Sequence, residues 1–73
     1  MTVEVYTTKT CPYCFAAKDL LQQKGISYKE YDVSYDISLR ANLMEKTGRR
    51  TVPQIFIDQE HVGGFTDLIR YFK

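Results

Sequence analysis

The chain reads as an α/β domain: a mixed sheet of four strands with three helices, in the order β-α-β-α-β-β-α. Three observations predict it. Short runs of β-branched and aromatic residues recur along the chain, separated by longer stretches with helical period. Proline, glycine and a capping residue bracket those longer stretches. Two strand-like runs near the C-terminus are divided only by Asp58-Gln59, which suits a tight turn.

Val3 to Tyr6 is the first strand. Pro12 to Lys24 follows as a helix, with Pro12 suited to the first helical position and Gly25 to the position just past the end. Tyr13, Ala17, Leu20 and Leu21 are expected to share its inner face. Ser27 to Val33 is the second strand; its poor alternation suggests burial on both faces or ambiguity. Asp36 or Ser34 can cap a second helix that ends at Gly48, with Ile37, Ala41 and Met44 aligned on it. Arg49 to Pro53 forms a loop into the strand Gln54 to Ile57, and Glu60 to Val62 returns antiparallel. After Gly63-Gly64, the spacing of Phe65, Leu68, Ile69 and Phe72 predicts a last helix. The first β-α-β unit should be a right-handed crossover between parallel strands, and helices should cover both faces of the sheet.

With 73 residues, the chain holds one domain, residues 1–73. A domain of this size buries roughly 60% of its unfolded surface, so its core is thin. The composition, 44% hydrophobic and 26% charged, is that of a folded chain rather than a disordered one. A net charge of +1 gives no reason to expect nucleic acid or an anionic membrane as a partner. No apolar run is long enough to span a bilayer, and the N-terminus has no charged region followed by an apolar one. The expected setting is the cytoplasm, where thiols are kept reduced.

Both cysteines lie in Thr10-Cys11-Pro12-Tyr13-Cys14-Phe15. A structural disulfide across so short a loop would constrain little of the unfolded chain. A zinc site needs four ligands, and the chain offers two Cys and one His. Inert buried thiols fit poorly with Cys11 beside a helix-starting proline. Redox chemistry fits, because a C-x-x-C pair near a β-α-β pattern in an intracellular chain carries a mechanism. With Pro12 as the first helical residue, Cys11 is the N-cap, and its sulfur lies near the unpaired N–H groups of Tyr13 and Cys14. The positive end of the helix favours thiolate over thiol there. Cys14, one turn in, should be more buried and less acidic, within reach of a mixed disulfide on Cys11.

Cys11-Pro12-Tyr13-Cys14 resembles the active-site tetrapeptide of dithiol glutaredoxins. Thr51-Val52-Pro53 is similar to that family's loop before the third strand, whose proline is cis, and Gly63-Gly64 with Asp67 is similar to its last motif. The order and spacing agree over essentially the whole chain. The resemblance implies a thioredoxin fold and glutathione-dependent reduction of disulfides, with glutathione as co-substrate and no tightly bound cofactor or metal. Carried over by position, Cys11 is the nucleophile and Cys14 the resolving thiol. Lys9 would neutralise a glutathione carboxylate, and Tyr13 would flank its sulfur. Thr51, Val52 and Pro53 would form the loop that offers Val52 backbone groups to the glutathione cysteine, much as a strand edge receives a peptide. Gly64, Thr66 and Asp67 would hold the γ-glutamyl end. Arg40 lies about where relatives place a polar ligand on the second helix. Arg49 and Arg50 read as a solvated loop pair, and His61 as an ordinary strand residue.

The implied partners are glutathione and disulfide-containing or glutathionylated proteins, served by a cytoplasmic monomer. Phe65 departs from the pattern, since relatives often carry Cys or Ser there. An aromatic after glycine is similar to the glutaredoxin-like donors of ribonucleotide reductase, which are fed by thioredoxin reductase. Those donors usually lack Pro12-Tyr13. A third alternative is an iron–sulfur carrier built from two copies and two glutathiones, which Pro12 disfavours.

Overall fold

The computed structural model describes residues 1–73. Its elements are β1 (Val3–Thr7), α1 (Pro12–Gln23), β2 (Lys29–Asp32), α2 (Ile37–Thr47), β3 (Gln54–Ile57), β4 (Glu60–Gly63) and α3 (Phe65–Tyr71). The four strands form one sheet in the order β2-β1-β3-β4. β1 pairs parallel with β2 and antiparallel with β3, and β3 pairs antiparallel with β4. The element order and the mixed sheet are those the sequence predicts.

One face of the sheet carries the main core. Val3 and Val5 of β1 and Ile55 and Ile57 of β3 meet Ala17 and Leu21 of α1 and Leu68 of α3 in one buried cluster. The opposite face is aromatic. Tyr6 stacks on Tyr31 with ring centroids 4.8 Å apart and meets the edge of Phe56 at 5.6 Å. α2 lies over this face, with Leu39, Asn42, Leu43 and Lys46 lining a small cavity beside Tyr6.

Local chemistry explains the boundaries. Cys11 caps α1 in an extended conformation, with Pro12 as the first helical residue. Beyond the C-terminal end, Gly25 adopts φ 69°, the Gly25 N–H donates to the Gln22 carbonyl and the Ile26 N–H donates to the Leu21 carbonyl. This is the two-bond Schellman arrangement, and a β-carbon at Gly25 would meet nothing, so backbone freedom alone selects glycine. Of the two expected caps for α2, Asp36 is used: its carboxylate accepts from the Leu39 N–H at 2.9 Å. Asp58 and Gln59 both adopt positive φ, as a two-residue hairpin turn of the twisted type requires. The Asp58 side chain accepts from the Thr2 N–H, and its own N–H donates to the Thr2 carbonyl, tying the hairpin to the start of β1.

Three expectations need correction. Tyr13 does not join the inner face of α1; it is 64% exposed, and Cys14, Ala17 and Leu21 point inward. The buried residues follow the spacing i, i+3, i+7 from Cys14, which turns Tyr13 about 100° away. On α2, Ile37 and Met44 face solvent, and Leu43 alone is buried. The aromatic rings already fill that side of the sheet, so a narrow contact completes it. β2 is not buried on both faces; it is a short edge strand whose Lys29, Glu30 and Asp32 are exposed, as suits a sheet edge. On α3, Leu68 is fully buried while Ile69 is 37% exposed.

Leu68→Ala should therefore lower unfolding stability by about 2–5 kcal/mol, since it opens a cavity in the main core. Ile37→Ala, on the solvent side of α2, should stay within about 0.5 kcal/mol of the parent. Urea unfolding midpoints of the two variants measure the contrast.

Candidate active site

β1 ends at Thr7 in the middle of the sheet, and the chain reaches Cys11 four residues later, at the start of α1. Both cysteines are free thiols, with Cys11 partly exposed and Cys14 buried. The Cys11 Sγ accepts the Cys14 N–H at 3.2 Å. As a thiol it donates to the Val52 carbonyl at 3.5 Å. One sulfur thus touches both the helix start and the loop that precedes β3. Cys14 is 1% exposed, and burial, with a hydrogen bond to Cys11, pushes its thiol up to about 12; the backbone N–H of Thr8 partly opposes this.

The Val52–Pro53 peptide bond is cis. Behind the loop lies a polar network the sequence reading missed. Gln54 is fully buried, and its side-chain amide donates to the Thr51 carbonyl at 2.8 Å and to the Thr51 hydroxyl at 3.3 Å. Its side-chain oxygen lies 2.6 Å from His61 Nε2, so that nitrogen must carry the proton and donate. Burial, and then the positive charge of Arg49, lower the His61 pKa, with Asp67 acting in the other direction. His61 is therefore a strand residue with a second task, anchoring Gln54. The available signal was a Gln directly after the loop proline, at an inward position of a strand otherwise apolar.

A shallow cleft of about 140 Å³ is lined by Tyr13, Thr51, Val52, Pro53, Gly64, Phe65, Thr66 and Asp67. It gathers seven of the residues singled out from the sequence, and Cys11 joins them through Val52. Tyr13 and Phe65 face each other across it, with ring centroids 6.1 Å apart. Asp67 Oδ2 accepts the Gly64 N–H at 3.0 Å and pairs with Arg49 at 3.0 Å. The hydrogen bond from Gly64, then the one from Arg49, hold the Asp67 carboxyl below its ordinary range. Arg49 is thus an exposed loop cation, as expected, that also pairs with a residue of the cleft. A β-carbon on Gly63 would collide with the Asp67 side chain, so the close approach requires glycine there.

Two expected residues lie outside this cleft. The Lys9 ammonium sits 5.3 Å over the Tyr35 ring, and its backbone N–H donates to Ser34 Oγ at 2.9 Å. Arg40 lines a separate groove of about 430 Å³ with Ser34, Ile37, Ala41, Met44 and Arg50. The roomiest groove, about 500 Å³, runs along β4 and α3 and shares only Asp67 with the cleft, so volume does not locate the thiols.

A mixed sheet of this order, with a C-x-x-C pair at a helix start facing a cis-proline loop, defines a thiol–disulfide oxidoreductase of the thioredoxin fold. The glutaredoxin family model matches residues 3–62. Glutaredoxin 3 of Escherichia coli strain K12 is 50% identical over 66 residues, covering 90% of this chain and 80% of that protein. The buckwheat glutaredoxin–glutathione complex superposes with a TM-score of 0.90 at 30% identity, over 96% of this chain and 66% of that one. Glutaredoxin 1 of Francisella tularensis, complexed with cacodylate, gives a TM-score of 0.82 at 35% identity, over 97% of this chain and 91% of that one. The chain belongs to the glutaredoxin family.

The depressed Asp67 carboxyl has a pH consequence. Its ionised form is favoured in the folded state, so its contribution is present above the unfolded carboxylate pKa of about 3.9 and is lost as pH falls through the lower folded value. Asp67→Asn should be less stable than the parent at neutral pH, and the two unfolding midpoints should converge as pH drops through the carboxylate range.

Proposed function

We propose that the chain is a glutathione-dependent oxidoreductase that reduces protein disulfides and protein–glutathione mixed disulfides through Cys11 and Cys14. The observation that carries this reading is the Cys11 sulfur, partly exposed and bonded to the Val52 carbonyl on the edge of the cleft. The buckwheat relative is a glutathione complex, which supports the same ligand class here.

The chemistry follows from the placement. The Cys11 thiolate attacks the sulfur of the glutathionyl group. A new Cys11–glutathione bond forms, the old disulfide breaks, and the protein substrate leaves as a thiolate that takes a proton. A second glutathione then attacks the mixed disulfide, releasing glutathione disulfide and restoring Cys11. With a protein disulfide, Cys11 attacks one sulfur and the other leaves as a thiolate. Cys14 then attacks Cys11, the Cys11–Cys14 bond forms as the Cys11–substrate bond breaks, and the second substrate thiolate leaves. Two glutathiones later reduce the pair, departing as glutathione disulfide. Val52 would pair its backbone groups with the glutathione cysteine, with Thr51 and Pro53 holding that loop, while Tyr13 flanks the sulfur. Gly64, Thr66 and Asp67 would hold the γ-glutamyl end, where Asp67 meets the amino group and Arg49 supplies a cation for the carboxylate. Lys9 and Arg40 would serve the other carboxylate by reorienting their long side chains. The protein would act as a cytoplasmic monomer.

Phe65, the aromatic that follows Gly64 in the cleft wall, supports a second reading, against which Tyr13 counts: a donor reduced by thioredoxin reductase and serving ribonucleotide reductase. NADPH oxidation measured with thioredoxin reductase alone, against glutathione plus glutathione reductase, separates the two. Rapid turnover only in the first assay would replace glutathione as the reductant.

Turnover of a glutathionylated protein tests the residue roles. Cys14→Ser should keep much of that activity, because the glutathione route needs only Cys11. Cys11→Ser should abolish it. Equal losses in both variants would contradict the assignment.

A further inference from the structure

The glutathione mechanism leaves one charged cluster unused. Lys18 follows Cys14 by four residues on α1, so the two side chains lie on the same side of the helix one turn apart. Its ammonium donates to Glu30 Oε2 on β2 at 3.0 Å. The same carboxylate oxygen accepts the hydroxyl of Thr7 at 2.7 Å, and Thr7 is buried at the end of β1. The Phe15 ring lies 4.8 Å from the Lys18 ammonium. A lysine at this position would otherwise extend into water; here two strands and a ring hold it against the fold.

An exposed ion pair stabilises a fold little. The value of this one lies in where it holds the cation. We infer that Lys18, held by Glu30 and Thr7, is a positioning residue for Cys14, keeping a positive charge beside the buried thiol and so hastening closure of the Cys11–Cys14 disulfide. This rests on the reading that Cys14 resolves the mixed disulfide. In that step the Cys14 proton leaves to solvent and its thiolate attacks the Cys11 sulfur. The Cys11–Cys14 bond forms, the bond from Cys11 to the substrate sulfur breaks, and its electron pair departs on the substrate thiolate. The pair is oxidised and the substrate reduced, with no further reactant.

The obstacle is the proton on Cys14, because burial disfavours the thiolate. The groups that act on Cys14 are first Cys11 of its own helix, through a hydrogen bond, then the backbone N–H of Thr8 from the segment after β1, and last and most weakly Lys18. Lys18 is the side chain among them that carries a full positive charge. It faces Glu30 and Asp32 of β2, Tyr28 just before that strand, and Cys14. The bond to Glu30 raises the Lys18 pKa, so the cation persists at neutral pH. Burial pushes the Glu30 carboxyl up, but the hydrogen bonds from Thr7 and Lys18 outweigh it and keep the group ionised.

The test isolates the closure step. Cys11 of the intact chain is loaded as a mixed disulfide with thionitrobenzoate, and stopped-flow absorbance follows release of the coloured thiolate as Cys14 closes the ring, across a range of pH. Lys18→Gln should slow closure by roughly three- to tenfold near neutral pH and move its rise to higher pH. Lys18→Arg should restore most of the rate. Glu30→Gln keeps an acceptor for Thr7 and Lys18 but removes the opposing charge, so its profile should move to lower pH. In a Cys14→Ser background, Lys18→Gln should leave turnover of a glutathionylated protein unchanged. Slower closure in both Lys18→Gln and Glu30→Gln would make the pair a mechanical strut and overturn the inference. So would an unshifted profile in Lys18→Gln. The closure assay contains no glutathione, so failure of the glutathione reading would appear separately, as absent turnover of the glutathionylated protein.

Discussion

The contact between the Cys11 sulfur and the Val52 carbonyl joins two parts of the chain 41 residues apart, and the rest of the site depends on it. Neither partner makes the contact by local preference. Cys11 is placed by the start of α1, Val52 by the loop before β3, and the two meet only because the sheet brings those ends together. The sulfur then sits between two kinds of backbone group: an N–H that donates to it and a carbonyl that accepts from its thiol. The site is therefore built mainly from main-chain groups, whose positions are set by the sheet rather than by side-chain rotamers.

Strand order explains the convergence. β1 runs toward Thr7 and Cys11. β3 is antiparallel to it, with Tyr6 opposite Gln54, so β3 begins at the end where β1 stops. That delivers Thr51, Val52 and Pro53 to Cys11. β4 is antiparallel to β3 and finishes with Gly63 opposite Ile55, which returns Gly64, Thr66 and Asp67 to the same end. β2 is parallel to β1, with Thr7 opposite Asp32, so Ser34 arrives there too and receives the Lys9 N–H. Four chain segments thus reach one edge of the sheet. Swapping the directions of β3 and β4 would carry the proline loop and the glycine turn to the far end, and no side-chain change could restore the cleft.

What the sequence made legible was local chemistry. Gly25, Asp36 and Gly48 mark helix ends through bonds within a few residues, Pro12 marks one by its fixed backbone angle and missing N–H, and each does so in the structure. The cysteine pair and the two distant motifs were legible as a resemblance, and seven of the marked residues share the cleft. What stayed hidden depended on which face of the sheet a helix meets. The Ile37, Ala41 and Met44 stripe has sound helical spacing, yet the rings of Tyr6, Tyr31 and Phe56 already fill the surface it would need. The ion pair of Arg49 stayed hidden because its partner, Asp67, lies 18 residues away and reaches it only through the β3–β4 hairpin.

Gln54 shows why a thin core tolerates a buried polar side chain at this point. An apolar residue there would bury comparable surface, but it would leave the Thr51 carbonyl, the Thr51 hydroxyl and His61 Nε2 without the partners they now have. Thr51 and His61 are themselves exposed, so the group whose pairing matters is the fully buried Gln54 amide, and these three partners satisfy it. The geometric effect matters more than the energy. The amide ties Thr51 to β3 on one side and, through His61, to β4 on the other, and Val52 is the next residue along. The carbonyl that meets Cys11 is thereby referenced to two strands of the sheet. Its distance from the sulfur follows the core, while the exposed face of α2 is free to vary without disturbing it.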